Sequence, residues 1–156
     1  MQITIKNLLD CQEHLNSLAE LLYQEIGRHW VSGASIERAK DRLLTHLNRD
    51  KMPFALVALD GDKPVGMACL RDTDGIRPGV SPWLGSLVVN PEYRARGVGH
   101  KLIDAVKSQA RLFWHETLYL LAFDQTIPDW YEKLGWRHLG YDELLGHRVT
   151  VMSILL

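Results

Sequence analysis

The sequence predicts a single α/β domain built on a mixed, mostly antiparallel sheet of six to seven strands, with about four helices and one parallel βαβ crossover. Two apolar runs, 54–59 and 64–70, flank an Asp-Gly-Asp turn, which is the pattern of an antiparallel hairpin. Two later apolar runs, 83–89 and 117–122, flank a helical pattern. That order is typical of parallel strands joined by a right-handed crossover.

Composition places the chain among ordinary globular proteins. Of its 156 residues, 46% are hydrophobic and 24% are charged, and the formal net charge is −1. Because no basic field exists to attract nucleic acid or an anionic membrane, we expect neither as a partner. We find no linker, repeat or low-complexity tract, so residues 1–156 are predicted to form one domain.

Before the hairpin, the residues predict one strand and two amphipathic helices. Residues 2–6 alternate as a strand does, and 11–26 carry apolar residues at helical spacing, with Gly27 as a stop signal. Ser35 stands in an N-cap position. The helix that it opens has an apolar stripe of four residues: Ile36, Ala39, Leu43 and Leu47.

After the hairpin, a polar loop over 71–82 leads into the apolar strand 83–89. Gly85 within that strand predicts a bulge or a close backbone approach. The crossover helix is indicated by an apolar stripe that comprises Val98, Leu102, Val106, Ala110 and Phe113.

The end of the chain predicts a short helix and two strands. The helix covers about 127–134, with Thr126 and Asp129 in capping-box positions and Gly135 after its end. The strands are predicted at 136–140 and 148–155. The last one is apolar enough to leave two alternatives open, namely an internal strand and a strand that pairs across a homodimer.

The two cysteines and the first six residues indicate the cellular compartment in which the protein is expected. Cys11 and Cys69 lie far apart, without metal or redox spacing, which is typical of reduced thiols in a cytosolic protein. Residues 1–6 lack the apolar core of a signal peptide, and no apolar run approaches the length that spans a bilayer. We therefore expect a cytoplasmic protein without a metal site.

A phosphate-binding loop is predicted between the strand 83–89 and the crossover helix. After Pro91 the chain reads Arg94-x-x-Gly97-x-Gly99, so arginines, free backbone N–H groups and a helix N-terminus come together. The dinucleotide fingerprint and the Walker loop do not fit, because Leu102 replaces the third glycine and no hydroxyl follows Lys101.

This loop resembles the acyl-CoA loop of the GNAT superfamily of acetyl-CoA-dependent N-acetyltransferases, whose pattern is Gln/Arg-x-x-Gly-x-Gly/Ala. A second segment, 129–136, is similar to the family's aromatic-Tyr-Glu-x-Leu-Gly-aromatic motif, with Tyr131 at its tyrosine. Both motifs occur in the family's order. The resemblance implies a GNAT-like fold and acetyl-CoA as co-substrate.

The resemblance also implies which residues contact coenzyme A. They are Leu87, Val88, Val89, Arg94, Ala95, Arg96, Gly97, Val98, Gly99, His100, Lys101 and Asp124. Asp124 has an equal alternative role as a helix cap. Family members often separate the strand 83–89 from its parallel neighbour to admit the pantetheine arm, and we expect Gly85 to suit such a distortion.

The implied chemistry is direct transfer of the acetyl group to a primary amine of a small molecule or peptide. Tyr131 is the expected general acid for the departing thiolate. Many members carry a glutamate as base on the strand that here holds Ser86. His29 is therefore the candidate base, because its intrinsic pKa suits the task. The other candidates are Glu25, Asp72, Asp74 and Asp124.

The acceptor side is expected to be lined from several loops. The candidate residues carry both signs of charge and comprise Arg28, His29, Trp30, Asp72, Asp74, Arg77 and Trp83. Two rival hypotheses remain open at this point. One is a catalytically silent acyl-CoA-binding or sensing module, and the other is an α/β nucleotide-binding domain unrelated to coenzyme A.

Overall fold

The computed structural model describes all residues, Met1–Leu156. Its strands are β1 (Ile3–Asn7), β2 (Phe54–Asp60), β3 (Lys63–Arg71), β4 (Trp83–Val89), β5 (Thr117–Ala122), β6 (Arg137–Leu144) and β7 (His147–Leu155). Its α-helices are α1 (Leu15–Leu22), α2 (Arg28–Trp30), α3 (Ile36–Leu44), α4 (Val98–Leu112) and α5 (Pro128–Lys133). A π-helical turn joins α1 to α2 without a break, so the chain has four separate helices.

The strands form one seven-stranded sheet in the order β1-β2-β3-β4-β5-β7-β6. Every neighbouring pair is antiparallel except β4 and β5, which are parallel and are connected through α4. The predicted fold class is therefore confirmed. β7 lies between β5 and β6, so the alternative in which it pairs across a homodimer is wrong.

Helices cover both faces of the sheet. One core packs α4 and Tyr131 of α5 against the sheet, and a second packs α1 and α3 against the opposite face of β2 and β3. β2 is buried along nearly its whole length because its side chains enter these two cores alternately. The cores fix where β4 and β5 meet.

The first helix continues past its predicted stop at Gly27. That residue has helical φ and ψ angles of −55° and −53°, and its carbonyl accepts a hydrogen bond from the amide of Val31 at 2.9 Å. The Cβ of Ala34 lies 3.4 Å from where a Cβ of Gly27 would stand. Gly27 therefore serves close packing, and the continuation carries Trp30 to the end of the helix.

Two further local predictions are wrong in detail. Thr126 does not cap α5, whose N-cap residue is Ile127 with Pro128 next. The Thr126 amide and hydroxyl instead donate to Oδ1 of Asp124 at 2.9 and 2.7 Å, which forms an Asx turn. Arg71 belongs to β3 and not to the following loop.

Candidate active site

The candidate site is a gap between the two parallel strands. β4 and β5 pair only at Trp83 and Leu84 of β4. Beyond these residues the register between β3 and β4 shifts, and Ser86 takes a φ of +49°, which is the left-handed region. The strands separate there, and the gap belongs to a cavity of about 800 Å³. The bulge stands next to Gly85, where a Cβ would overlap the Arg71 guanidinium, so both expectations for that glycine are met.

One end of the cavity is formed by the loop that precedes α4. The backbone amides from Ala95 to His100 donate to no protein acceptor. Gly97 is the N-cap of α4 with a φ of +82°, which a residue with a Cβ adopts only under strain. Gly99 has a different role, because a Cβ there would stand 3.3 Å from the Trp130 ring. The turn is thus a row of free donors at a helix N-terminus.

The basic residues of this loop point in different directions. Arg94 lines the cavity and forms an ion pair with Glu25 from the π-helical turn. Arg96 stacks over the Tyr93 ring, with its guanidinium carbon 5.4 Å from the ring centroid. The Lys101 ammonium donates to the carbonyl of Ile3 at 3.4 Å. Only Arg94 therefore presents its charge to the cavity.

Tyr131 lies on the wall of the cavity, where α5 meets the gap. The residue is 6% exposed, and Trp130 and Trp136 contact its ring edge-on at centroid distances of 4.9 and 5.6 Å. Its hydroxyl has no protein hydrogen-bond partner and is not sealed from solvent, so it is open to the cavity. Burial raises the pKa of Tyr131 above its ordinary value, which keeps the phenol protonated at neutral pH.

A polar cluster forms another wall beside the bulge in β4. Arg71 donates from Nε to Nε2 of His46 at 2.8 Å, from one terminal nitrogen to Asp74 at 3.2 Å, and from the other to Oγ of Ser86 at 2.7 Å. Because all three donor directions are satisfied, the buried guanidinium is fixed. It holds Ser86 in its strained conformation. Arg42 from α3 lies near the same carboxylate, 3.7 Å from Asp74.

An aromatic wall faces this cluster. Trp30 stacks on Phe123 at a centroid distance of 5.7 Å, and His147 contacts both rings edge-on. Leu144 and Leu145, from the end of β6 and the turn after it, continue the apolar surface. This side of the cavity is therefore mainly apolar.

Comparison with known proteins identifies the family. The sequence matches the model of the Acetyltransferase (GNAT) domain over residues 53–138, which is more than half of the chain. The chain belongs to the GNAT family of acetyltransferases. No curated protein matches it in sequence.

Solved structures show the same GNAT fold at low sequence identity. The PaiA N-acetyltransferase of Thermoplasma acidophilum, solved in complex with coenzyme A, is 19% identical with a TM-score of 0.76, and the match covers 100% of both chains. An acetyltransferase from Streptococcus agalactiae is 20% identical with a TM-score of 0.75, over 99% of this chain and 98% of that one. An aminoglycoside 6'-acetyltransferase of type Ii is 20% identical with a TM-score of 0.75, and the match covers 99% of this chain and 97% of that one.

The GNAT cavity brings together most of the residues predicted to contact coenzyme A. Those that line it are Leu87, Val88, Val89, Arg94, Ala95, Gly97, Val98, Gly99, His100 and Asp124. Arg96 and Lys101 do not line the cavity, because Arg96 stacks over Tyr93 and Lys101 donates to the carbonyl of Ile3. Asp124 forms the Asx turn through Oδ1, and the N-cap residue of α5 is Ile127, so the expected role of Asp124 as a helix cap is wrong. Oδ2 of Asp124 has no protein partner, which leaves the expected contact with coenzyme A compatible with the geometry.

The predicted acceptor residues divide into two groups. Trp30 and Asp74 line the cavity, as does Glu25. His29 is exposed and outside the cavity wall, because the helix turns its neighbour Trp30 inwards. The others that do not reach it are Arg28, Asp72, Arg77 and Trp83.

Two of these residues have structural roles instead. Arg77 forms a two-point ion pair with Asp142 of β6 at 2.9 and 3.1 Å, which ties the loop 72–82 to the sheet. Trp83 is fully buried and donates its indole N–H to the carbonyl of Val80 at 2.7 Å. Neither side chain is available to an acceptor in this GNAT protein.

Three residues of the polar cluster, Arg42, Arg71 and His46, are not among those predicted from the sequence. A signal existed for Arg71, because a charged residue ends an otherwise apolar strand and therefore needs buried partners. Arg42 lies on α3, and His46 lies one helical turn later, just after the end of α3. Many surface residues share this spacing, so no signal in the sequence distinguishes these two residues from surface residues. No group of three or more His, Cys, Asp or Glu side chains is placed to hold a metal ion, and no helix combines the length and apolarity that crossing a bilayer requires.

Proposed function

We propose that the protein is an acetyl-CoA-dependent N-acetyltransferase that moves the acetyl group of acetyl-CoA directly to a primary amine of a small molecule or peptide. The observation that carries this proposal is that one cavity is lined both by residues with free amides, Ala95 and Gly97 to His100, and by Tyr131 with its open hydroxyl. Membership of the GNAT family supports the transfer of acetyl groups. The structure from Thermoplasma acidophilum and that of an aminoglycoside 6'-N-acetyltransferase both contain coenzyme A.

The residues present fit the donor. The free amides and the helix N-terminus suit the two phosphates, and Arg94 adds a positive charge through the guanidinium donors that its pair with Glu25 leaves free. The amide-bearing arm then runs into the gap, where the edge of β4 that faces β5 is unpaired at Leu87–Val89. Oδ2 of Asp124 is free to accept a hydrogen bond from the same arm.

The proposed chemistry uses few groups of the protein. The amine nitrogen attacks the thioester carbon, a C–N bond forms, and the C–S bond breaks. A backbone N–H of β4 stabilises the negative charge that develops on the carbonyl oxygen. Tyr131 gives its proton to the departing sulfur; with ordinary pKa values near 10 and 8.5 this costs about 2 kcal/mol. Burial raises the pKa of the phenol, but the thiol forms in the same cavity and is affected in the same direction.

The acceptor ammonium loses one proton to water in the cavity before it attacks. After the C–N bond forms, the nitrogen loses a second proton, which restores the Tyr131 phenol through the same water. Each carboxylate on the wall already has a partner: Glu25 pairs with Arg94, Asp74 with Arg71, and Asp124 with Thr126. Ser86 occupies the position where many GNAT members carry a glutamate. A water-mediated loss is easiest for an amine whose pKa lies near 8, since little free energy is then needed to deprotonate it.

Substitution of Tyr131 by phenylalanine tests the proposal. We expect Tyr131→Phe to lower kcat by roughly 10²–10⁴-fold, because the thiolate loses its proton donor, while the dissociation constant for coenzyme A stays unchanged. Release of free thiol measures turnover, and calorimetry measures affinity. Tyr141→Phe is the matched control, because Tyr141 is half exposed on β6 and lies outside the cavity. Equal kcat in the two variants contradicts the assignment of Tyr131.

A catalytically silent acyl-CoA-binding module is the second candidate. It is favoured by Ser86 at the expected base position and by the engagement of every carboxylate on the cavity wall. Such a module binds acetyl-CoA with an affinity that Tyr131→Phe leaves intact, and it releases no thiol with any amine. Turnover by the wild-type protein with one amine rules it out.

A further inference from the structure

The polar wall of the cavity holds an arginine that lacks a hydrogen-bond acceptor. The Arg42 side chain is 57% exposed and lines the cavity, yet its guanidinium donates to no protein atom. Its nearest carboxylate, Asp74, is 3.7 Å away, which is beyond hydrogen-bond distance. The donors of Arg42 are therefore available to a ligand.

Asp74 does not neutralise this wall. Its Oδ1 accepts a hydrogen bond from Arg71 at 3.2 Å, and both oxygens belong to a side chain that is only 10% exposed. Two arginines thus share one carboxylate, which leaves one positive charge in excess. The third group of the cluster adds none, because Nε2 of His46 accepts from Arg71 and the ring is neutral.

The surroundings of Arg42 disfavour its charge when no anion is present. Partial desolvation by the cavity walls and repulsion from Arg71 both lower the pKa of Arg42. Glu25 and Asp124, the other carboxylates of the cavity, are engaged with Arg94 and Thr126. A bound anion is the partner that the wall lacks.

The position of this charge relates it to the acceptor. Arg71 bonds Ser86, which directly precedes the β4 segment Leu87–Val89 that we propose holds the thioester. Arg42 lies beside the same cluster, on the side of the sheet where α3 packs. An anion on Arg42 then shares one cavity with an amine placed for attack at Leu87–Val89, while Trp30 and Phe123 offer an apolar surface to the remainder of the molecule.

We propose that Arg42 binds the carboxylate of the acceptor, so that the substrate class is an amine that carries a carboxylate near the reactive nitrogen, such as an amino acid with an apolar side chain. This inference rests on the proposed function and narrows it. A carboxylate is favoured over a phosphate because the excess on the wall is a single positive charge. Charged hydrogen bonds of this type select strongly against neutral analogues.

Matched acceptors and two variants test the inference. Amino acids with apolar side chains are compared with their carboxamides and with the amines that lack the carboxyl group, and O-phosphoethanolamine serves as a dianionic comparison. We expect kcat/KM, expressed per concentration of the unprotonated amine, to be at least roughly tenfold higher for the carboxylates, and Arg42→Gln to abolish this preference. Arg38→Gln removes one positive charge from the same helix outside the cavity and is expected to preserve the preference.

The outcomes separate the two proposals. Acetylation of carboxamides or plain amines as efficiently as carboxylates overturns the carboxylate site and leaves the acetyltransferase intact. So does a higher kcat/KM for O-phosphoethanolamine, or a preference that Arg42→Gln retains. If no amine of any class releases thiol although coenzyme A binds, the acetyltransferase proposal falls and the acceptor class falls with it.

Discussion

Two buried side chains, Tyr131 and His46, have protonation states that their immediate surroundings determine. Tyr131 is enclosed by aromatic rings without a protein hydrogen-bond partner, and burial raises its pKa, so the phenol is protonated at neutral pH. His46 is 3% exposed, and its Nε2 accepts from the cationic Arg71. Its Nδ1 therefore carries the proton, which it donates to the carbonyl of Arg42 at 2.8 Å. Desolvation and the charge of Arg71 lower the pKa of His46 from 6.5 to about 4.

Stability is expected to depend on pH through His46. Since the folded pKa of about 4 lies below the unfolded value of 6.5, the unfolded chain binds more protons between these values. The contribution is complete above pH 6.5 and is lost as the pH falls towards 4. We expect the free energy of unfolding to drop by about 2 kcal/mol between pH 7.5 and pH 5 from this group alone.

Urea denaturation of the wild-type protein and of His46→Gln isolates this effect. Glutamine keeps an acceptor for Arg71 and removes the titration, so the difference in unfolding free energy between the two proteins should shrink as the pH falls. Other titrating groups are common to both proteins and cancel. A difference that stays constant, or one that grows at low pH, contradicts a neutral buried His46.

At the end of α4, a tryptophan adopts a backbone conformation that favours glycine. Trp114 follows the C-cap residue Phe113, has a φ of +67° and is 92% exposed. Its amide donates to the carbonyl of Arg111, so the conformation is needed to end the helix. Glycine is the residue that adopts this backbone without strain.

Glycine at position 114 is therefore expected to relieve the backbone strain at the end of the helix. Trp114→Gly should raise the free energy of unfolding relative to Trp114→Ala by about 1 kcal/mol, because alanine lacks the ring but retains the strain. Thermal or urea denaturation of both variants measures the difference. A Trp114→Ala protein that is at least as stable as Trp114→Gly shows that the backbone strain costs nothing measurable.

The elements that the sequence predicts well are those with long periodic patterns and matching caps. β2, β3, β5 and α4 lie within a residue or two of their predicted bounds, because burial on one or both faces dictates their apolar pattern. Gly27 and Thr126 mislead, because a glycine or threonine serves a helix end, a close contact or a turn equally well. Local sequence does not distinguish these uses.

Across the whole molecule, the sheet consists of two halves with little strand pairing between them. β1–β4 and β5–β7–β6 are joined only through two residue pairs between β4 and β5. A donor bound in the gap contacts both halves, so we expect it to stabilise the complete fold. Acetyl-CoA at 100 times its dissociation constant should add about 2.7 kcal/mol to the free energy of unfolding.

Denaturation with and without acetyl-CoA measures this stabilisation. ATP at the same concentration is the control, because it carries phosphates but lacks the arm that enters the gap. A larger stabilisation by ATP than by acetyl-CoA supports a nucleotide-binding domain unrelated to coenzyme A. An unchanged midpoint at saturating acetyl-CoA contradicts the proposed donor site.

The two ends of the cavity differ in how much of them the sequence predicts. The end that we propose binds the donor lies within one continuous stretch, β4 to α4, so its motif is visible as a string of residues. The end that we propose binds the acceptor combines residues from α2, α3, β3 and the turn after β6, such as Trp30, Arg42, Arg71 and Leu145. No spacing links them in the chain, and only the packing of the elements brings them together.

The cavity passes through the sheet instead of lying on it. Arg42 and Trp30 come from helices on one side, whereas Val98 and Tyr131 come from helices on the other. In the reaction that we propose, the donor and the acceptor therefore approach the gap from opposite faces of the sheet. Both can then be bound at once, and no side chain needs to carry the acyl group from one to the other.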